Sequence, residues 1–231
     1  MTTQTPNADR LDALLRDASA STRLQAALTA GSLPDPSFIE VLIARCGVEP
    51  DFAVRDTLTW AITRHDSDQT VPLLVTEARS LNPQARSQAL HTLSKVGAAD
   101  GWKAITPQAL ADPDDEVARS AWRAAVVLVP PGLESELADA LTGQLGRGNA
   151  EMQRSLSRAF VRLGEAGSRA LERILTHELG DDALTHALAT QRLFDDPDEG
   201  FGAAVFEAKR ILALRNAPAV PDDAEEEGSP G

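Results

Sequence analysis

The sequence predicts an all-α protein of the α-solenoid class, a right-handed superhelix of about six to seven stacked helical hairpins. An arginine followed by an Ala/Leu-rich stretch recurs at residues 23, 55, 86, 119 and 154, and a spacing of 31 to 35 residues is typical of stacked repeats. Hydrophobic residues make up 42% of the chain, but aromatic residues only 4%, and tyrosine is absent. The core must therefore be built from Ala, Leu, Val and Ile, and the helix propensity of alanine and leucine favours an all-α fold.

The predicted helices follow from apolar residues three or four positions apart and from signals at the helix ends. Pro50, Pro83 and Pro113 fit the first position of a helix, where the missing N–H is not needed. Asn82 and Asp112 are expected to cap first turns. The hairpins so defined pair 7–16 with 21–30, 36–46 with 50–64, 68–80 with 83–95, 101–110 with 113–129, 133–145 with 150–163 and 165–178 with 181–194, and a last helix over 197–214 caps the stack.

Three regions are predicted: a flexible arm over residues 1–6, the solenoid over 7–215 and a disordered acidic tail over 216–231. The formal net charge is −13, and the tail holds five acidic residues and no basic one, so the rest of the chain carries −8. The composition of the tail is typical of disordered segments. Two roles are open for the tail, a solubilising terminus or an autoinhibitory segment that folds back over a basic groove.

Two segments carry a family resemblance. Residues 112–121, DPDDEVARSA, and residues 82–90, NPQARSQAL, resemble the short bacterial HEAT repeat of the phycobilin-lyase type, with its D-x-x-x-V-R-x-x-A pattern at the start of the second helix. The resemblance covers roughly residues 9–214, whereas the tetratricopeptide and ankyrin patterns fit less well. It implies a concave surface lined by the second helices. The family includes protein-binding scaffolds, phycobilin lyase subunits and DNA glycosylases.

Composition also narrows the function classes. An acidic protein of pI about 4.7 lacks the basic footprint that nucleic acids and anionic membranes attract, so neither is an expected partner. The single Cys46 and the lack of an apolar N-terminal segment predict a cytoplasmic protein. The four histidines have no metal-ligand spacing, and no nucleophile or phosphate-loop motif occurs. We therefore expect no cofactor, no metal and no catalytic residue.

The candidate binding residues lie on the predicted second helices, which carry many arginines and few acids. We expect a mildly basic groove that receives an acidic segment of another protein. In the alternative interpretation, the recurring Arg55, Arg86 and Arg119 pair with acids of a neighbouring repeat and only join the stack. The predicted partner-binding residues are Arg119, Arg123, Arg154, Arg158, Arg162 and Trp60.

The function that these patterns favour is a non-catalytic scaffold or adaptor that binds another protein along the concave face. One alternative is a lyase-like or chaperone subunit that acts on a cofactor-bearing protein. A second, less favoured alternative is a DNA glycosylase or another nucleic-acid-binding protein, in which Asp56, Trp60 and Trp122 would hold a base. The sequence gives no indication of the oligomeric state.

Overall fold

A computed structural model describes residues 6–196 and 198–215. Except for Pro6, the predicted arm lies outside these residues, and so does the whole predicted acidic tail. All regular secondary structure in the described part is helical, which confirms the all-α prediction. The helices are α1 (Pro6–Leu15), α2 (Ala20–Ser32), α3 (Ile39–Cys46), α4 (Phe52–Thr63), α5 (Ser67–Glu77), α6 (Pro83–Val96), α7 (Pro107–Leu110), α8 (Asp115–Leu128), α9 (Glu134–Thr142), α10 (Ala150–Arg162), α11 (Glu165–Ile174), α12 (Asp181–Asp195) and α13 (Phe201–Arg215), with 3-10 helices at Pro36–Phe38 and Ala99–Ala104.

The helices form two layers. The second helices of the repeats, α2, α4, α6, α8, α10 and α12, each pack on the next, and the first helices form the other layer. Substantial contacts join only helices that lie no more than three positions apart in the chain. Because each repeat touches only its neighbours, the fold is the predicted solenoid.

The core between the layers consists mainly of leucine and alanine side chains. Trp122 and Phe160 are the largest fully buried side chains, and one hydrophobic cluster runs from Ala8 to Ala187. The small alanines let the second helices approach closely, so each hairpin buries its apolar face only against its neighbours. A separate small cluster joins α12 to α13 through Ala189, Phe201, Ala204 and Ala208.

The fourth repeat departs from the prediction of one helix over 101–110. It begins with the 3-10 helix Ala99–Ala104, followed by the single turn α7. Pro107 cannot donate a hydrogen bond to a preceding helical turn, so the chain breaks before it. The Thr106 side chain then caps the new turn by accepting from the Ala109 N–H at 3.1 Å.

The start of two second helices is also later than predicted. Asn82 caps α6 with Pro83 at its first position, as predicted, but α4 and α8 begin after Asp51 and Asp114. These aspartates follow a proline and accept hydrogen bonds from first-turn N–H groups. The prediction that Asp112 caps α8 is therefore wrong, and this carboxylate has another partner.

Candidate ligand-binding groove

Glu49 binds an arginine of the preceding repeat. Its carboxylate accepts from Arg23 Nε at 2.8 Å and from Arg23 Nη2 at 2.7 Å, and it also pairs with Arg45. Burial alone raises the pKa of Glu49, but hydrogen bonds from Arg23, the Asp51 N–H and Arg45 outweigh burial and lower the pKa to about 2. Since Arg23 is buried as well, this pair joins the first two repeats and is closed to ligands.

Arg86 repeats this arrangement two units later. Its Nε and Nη2 donate to the Asp112 carboxylate at 2.9 and 3.1 Å, across the boundary between the third and fourth repeats. Arg23, Arg55 and Arg86 also share a second contact, since each Nη1 donates to the backbone carbonyls six and five residues before it. For Arg86, the interpretation of a structural arginine is therefore confirmed.

Arg55 keeps the carbonyl contacts but differs in its other partner. The residue 26 positions further on is Leu81 instead of an acid, and no carboxylate within the described ranges pairs with Arg55. The guanidinium carbon instead lies 5.9 Å from the centroid of the Phe52 ring, a cation–π distance. The expected acid pair is thus wrong for Arg55, although its role within the repeat is still structural.

Arg119 and Arg154 do not occupy the same position on their helices as the earlier arginines. Counted from the capping residue, Arg23, Arg55 and Arg86 lie at the fourth position, whereas Arg119 and Arg154 lie at the fifth. A one-residue step turns a helical side chain by about 100°. Arg119 and Arg154 therefore face away from the turn and toward the surface formed by the second helices.

That surface is formed by the fifth, ninth and thirteenth positions after each cap, which share one face because they are four residues apart. From the first repeat to the sixth, the side chains at these positions change from mainly apolar to mainly basic and back to mainly apolar. The residues from the first to the sixth repeat are Leu24, Leu28 and Ser32; Asp56, Trp60 and Arg64; Ser87, His91 and Lys95; Arg119, Arg123 and Val127; Arg154, Arg158 and Arg162; and Thr185, Ala189 and Leu193.

A groove of about 780 Å³ lies between α6, α8 and α10, where this surface is most basic. All five arginines predicted from the sequence line it, together with His91 and Lys95. We call it the basic groove. Its one acidic lining residue, Glu151, already accepts a hydrogen bond from Arg119 at 2.8 Å. The structure thus brings together every arginine of the predicted site.

Most of these arginines have no acidic partner. Arg123, Arg154, Arg158 and Arg162 are exposed, and among residues 6–196 and 198–215 no carboxylate oxygen lies within 4 Å of their guanidinium groups. Arg119 pairs with Glu116 and Glu151, yet its buried Nε has no acceptor in the described part of the chain. The groove therefore presents four exposed guanidinium groups that have no carboxylate partner in the described part of the chain.

The pKa values of two lining residues indicate a positive potential. Burial, followed by the charges of Arg123 and Lys95, lowers the pKa of His91. Desolvation by the groove walls, followed by the charge of Arg119, lowers the pKa of the Arg123 guanidinium. The part of each shift that comes from the neighbouring like charges reflects repulsion within the groove, and a bound anion would reduce this repulsion.

The basic groove continues at both ends. On one side, a pocket of about 330 Å³ shares His91 and Arg123 with it and reaches Phe52 on α4. On the other side, a pocket of about 500 Å³ shares Arg154 and Arg158 and reaches Phe201 at the start of α13. The connected surface therefore crosses six helices, from α4 to α13, and suits an extended chain better than a compact small molecule.

Trp60 is the one predicted site residue that does not line the basic groove. It lies on α4 at the ninth position after the cap, on the same face as His91 and Arg123 but outside the groove between α6, α8 and α10. Its ring packs over Gly31 of α2, where an added Cβ would collide with the indole and approach Ala61 Cα to 2.8 Å. The side chain is still 40% exposed, so a ligand that extends beyond the groove can reach it.

Trp122 is a core residue, as its apolar neighbours predicted. It is fully buried, and its Nε1–H donates to the Leu110 carbonyl at 2.8 Å. A nucleobase therefore has no access to this ring. The assignment of Trp122 to a base-binding set with Asp56 and Trp60 is wrong for this reason.

The Cys46 thiol and the His186 imidazole are held inside the fold. Cys46 is buried, and burial raises the pKa of its thiol to about 11. His186 Nδ1 accepts from the Gly146 N–H at 3.0 Å, and Nε2 lies 3.0 Å from both Ser157 Oγ and the Gln153 carbonyl oxygen.

Within the described residues, no cluster of three or more metal-ligating side chains occurs. None of the described helices has the length and apolar character needed to span a bilayer.

A second concave surface lies at the N-terminal end of the stack. It encloses about 1,110 Å³ between α1 and α2 and is lined mainly by uncharged side chains, with Arg10 and Asp35 as its charged members. Its size exceeds that of the basic groove, but it lacks converging charges. Sequence reasoning did not predict this surface, since end repeats expose the face that an inner repeat would bury.

A family model described as HEAT repeats matches residues 7–93 and, in an overlapping alignment, residues 39–126. Together the two alignments cover 7–126, more than half of the chain. They include α1 to α7 and most of α8. No curated protein matches the sequence.

Proposed function

Because this chain belongs to the HEAT-repeat family, we propose that it is a non-catalytic scaffold whose basic groove binds an acidic segment of another protein. The observation that carries the proposal is the convergence of Arg123, Arg154, Arg158 and Arg162 on one groove without acidic partners among the described residues. Inter-repeat arginines such as Arg23 and Arg86 are fully paired. Arg119 joins two repeats through Glu151, but within the part of the chain that the structure describes the other four groove arginines take no part in such a pair.

An extended acidic peptide fits the dimensions of the groove. Packed helices lie about 8–10 Å apart, so the distance from α6 to α10 is roughly 20 Å. An extended chain covers this distance with about six residues. Each guanidinium can form two parallel hydrogen bonds with one carboxylate, a geometry that favours Asp and Glu side chains over isolated backbone carbonyls.

Nucleic acid fits the same surface less well. The pocket beyond His91 contains Asp56 and Glu116, and the pocket beyond Arg158 contains Glu199. These carboxylates would repel a phosphate backbone that continues past the central groove. A peptide has no such regular charge, so its acidic run can end where the basic lining ends.

Charge reversal of R123E/R158E in the full chain tests the proposal. The probe is a fluorescein-labelled peptide with six consecutive Glu residues, and the measurement is fluorescence anisotropy at about 50 mM and 300 mM NaCl. We expect the double variant to bind at least about tenfold more weakly, because two attractive charges become repulsive. Higher salt should weaken binding to the unmodified protein.

The matched control is R79E/R169E, which changes the net charge equally but involves exposed residues that do not line the groove. Its affinity for the peptide should stay within about twofold of the starting value. Equal loss in both double variants would show a non-specific charge effect, and no loss in R123E/R158E would reject the groove as the binding site. Circular dichroism of both variants checks that their helix content is unchanged.

A further inference from the structure

We infer that the acidic segment of this chain's own sequence, residues 222–227, binds in the basic groove when no partner is present. This inference rests on the proposed function, since it assigns an occupant to the same groove. The segment reads DDAEEE and lies outside the residues that the structure describes.

The charges of the segment and the groove are complementary. Five of the six residues are acidic, and no other window of six residues in the chain holds as many acids. No basic residue occurs between 216 and 231. The acidic run at 112–116 is not free to compete, because its carboxylates cap α8 or pair with arginines. The segment thus supplies the carboxylates that the groove lacks.

The segment is long enough to reach the groove. The first residue of α13, Phe201, lines the same pocket as Arg154 and Arg158. Helix α13 has 15 residues and therefore a length of about 22 Å. The seven residues from Arg215 to Asp222 span up to about 25 Å. Even if α13 points directly away, Asp222 can therefore return to the pocket at Phe201, which adjoins the groove.

The position of Phe201 next to Arg154 and Arg158 favours one direction of binding. In that direction, the segment would enter beside α10, with Asp222 and Asp223 near Arg154 and Arg158. Six extended residues then cover roughly 20 Å and cross α8 toward α6. The last acids, Glu226 and Glu227, reach Lys95, which lines the groove on α6.

An attached ligand competes with an external one. A short connection gives an effective concentration on the order of 1 mM. If the free segment has a Kd near 100 µM, the attached segment weakens the apparent affinity of an acidic partner by about tenfold. Partners of higher acidity or with additional contacts would displace it.

Zero-length carbodiimide cross-linking of the full chain tests the inference directly, because it joins only carboxylates and amines that are in contact. The chain has three lysines, of which Lys95 lines the groove. Lys103 is exposed in the other layer and serves as an internal control. After tryptic digestion at Arg215, mass spectrometry should find the segment joined to Lys95 at least about fivefold more often than to Lys103 at about 50 mM NaCl.

Two further conditions sharpen the expected result. The R123E/R158E variant and about 0.5 M NaCl should each reduce the Lys95 product to the Lys103 level, whereas R79E/R169E should not. A mixture of ¹⁵N-labelled and unlabelled protein should give products in which both peptides carry the same label. Equal cross-linking of Lys95 and Lys103, or mixed-label products alone, would overturn binding within one chain.

A full-chain variant with a neutral segment, D222N/D223N/E225Q/E226Q/E227Q, separates this inference from the proposed function. If the inference holds, the variant binds the hexaglutamate probe about tenfold more tightly than the unmodified protein. Equal binding by both proteins would reject the segment as an occupant while the proposed function stands. Absence of probe binding to the neutral variant would reject the proposed function and, with it, the inference.

Discussion

Single residues at the repeat boundaries combine several contacts in one side chain. Glu49 and Asp112 each precede a proline and an aspartate, bind an arginine of the preceding repeat and accept from the N–H of the capping aspartate. Each acid therefore fixes a turn and an interface at once. Removal of one partner leaves a buried charge without compensation, and such a change is strongly destabilising.

We expect E49Q to lower the free energy of unfolding by about 3–5 kcal/mol, because the Arg23 guanidinium stays buried while its counter-charge is lost. Urea denaturation followed by circular dichroism measures this change. D100N is the control, since Asp100 pairs with Lys103 on the surface and should matter by less than about 1 kcal/mol. Comparable effects of the two variants would contradict the importance assigned to burial.

His186 should make the protein sensitive to mild acid. Burial, partly offset by its hydrogen bond to the Gln153 carbonyl, lowers the pKa of His186 to about 4, against 6.5 for a free histidine. As the pH falls from 6.5 to 4, the unfolded chain therefore takes up a proton that the folded chain refuses. The free energy of unfolding should fall by roughly 3 kcal/mol over this range and level off below it.

The test of this expectation compares unfolding of the unmodified protein and H186Q between pH 7.5 and pH 4. The variant loses packing at neutral pH, but its free energy of unfolding should depend less on pH, so the two proteins become more similar in acid. H177Q replaces an exposed histidine and should behave like the unmodified protein. Glu49 acts in a lower range, since the stability from its lowered pKa is lost only below about pH 4.5.

At the scale of one helix, α10 carries three arginines of the proposed binding groove that also repel one another. Arg154, Arg158 and Arg162 are spaced four residues apart on its exposed face, and like charges at this spacing repel. We expect R158Q to raise the free energy of unfolding by about 0.5 kcal/mol while it weakens binding of the acidic probe. Urea denaturation and anisotropy measure the two effects, and R169Q on α11 should not produce this combination.

Element boundaries show how far the sequence predicts this fold and site. The recurring arginine predicted the number of repeats and the positions of the second helices. It does so because the same contacts, an acid of the next repeat and two backbone carbonyls, recur at Arg23 and Arg86. It did not distinguish Arg119, since a shift of one position against the cap changes the face of the helix without altering the repeat length. In α10 the apolar spacing does indicate the shift, because it fits better with Gln153 in the place of the arginine, and Gln153 contacts the backbone carbonyls of Gly146 and Gly148. Pro107 split a predicted helix for a local reason that the apolar spacing did not reveal.

Trp60 shows the same limit at the site. Its helical position correctly placed it on the surface of the second helices, but a position on one helix does not give the distance to a groove two helices away. The five groove arginines were predictable because adjacent helices bring together residues at equivalent positions. Their pairing was not, since it depends on whether an acid is present in the next repeat, as Glu151 is 32 residues after Arg119.

At the scale of the whole molecule, stability should fall toward the C-terminal hairpin. The main hydrophobic cluster runs without interruption to Ala187, whereas α13 is held by a small separate cluster on α12. In a solenoid, such a terminal unit can open alone. We expect hydrogen exchange of α13 amides to be at least about tenfold faster than that of α6 and α8 amides.

The substitution A208D provides the check, because it places a charge in the small cluster between α12 and α13. Hydrogen exchange with mass spectrometry should show loss of protection in α13 and unchanged protection in α6 and α8. Loss of protection throughout the chain would mean that the molecule unfolds as one cooperative unit.

The acid–proline–aspartate turn recurs at 49–51 and 112–114, with an asparagine-capped repeat between them. If the protein were lengthened by a single repeat, an arginine that pairs with an acid–proline–aspartate turn would therefore face an asparagine-capped turn instead. Duplication of the 63 residues from 50 to 112 would reproduce both kinds of junction in their original order. The natural building block for extending this protein is thus a pair of hairpins, although the sequence repeats with every single one.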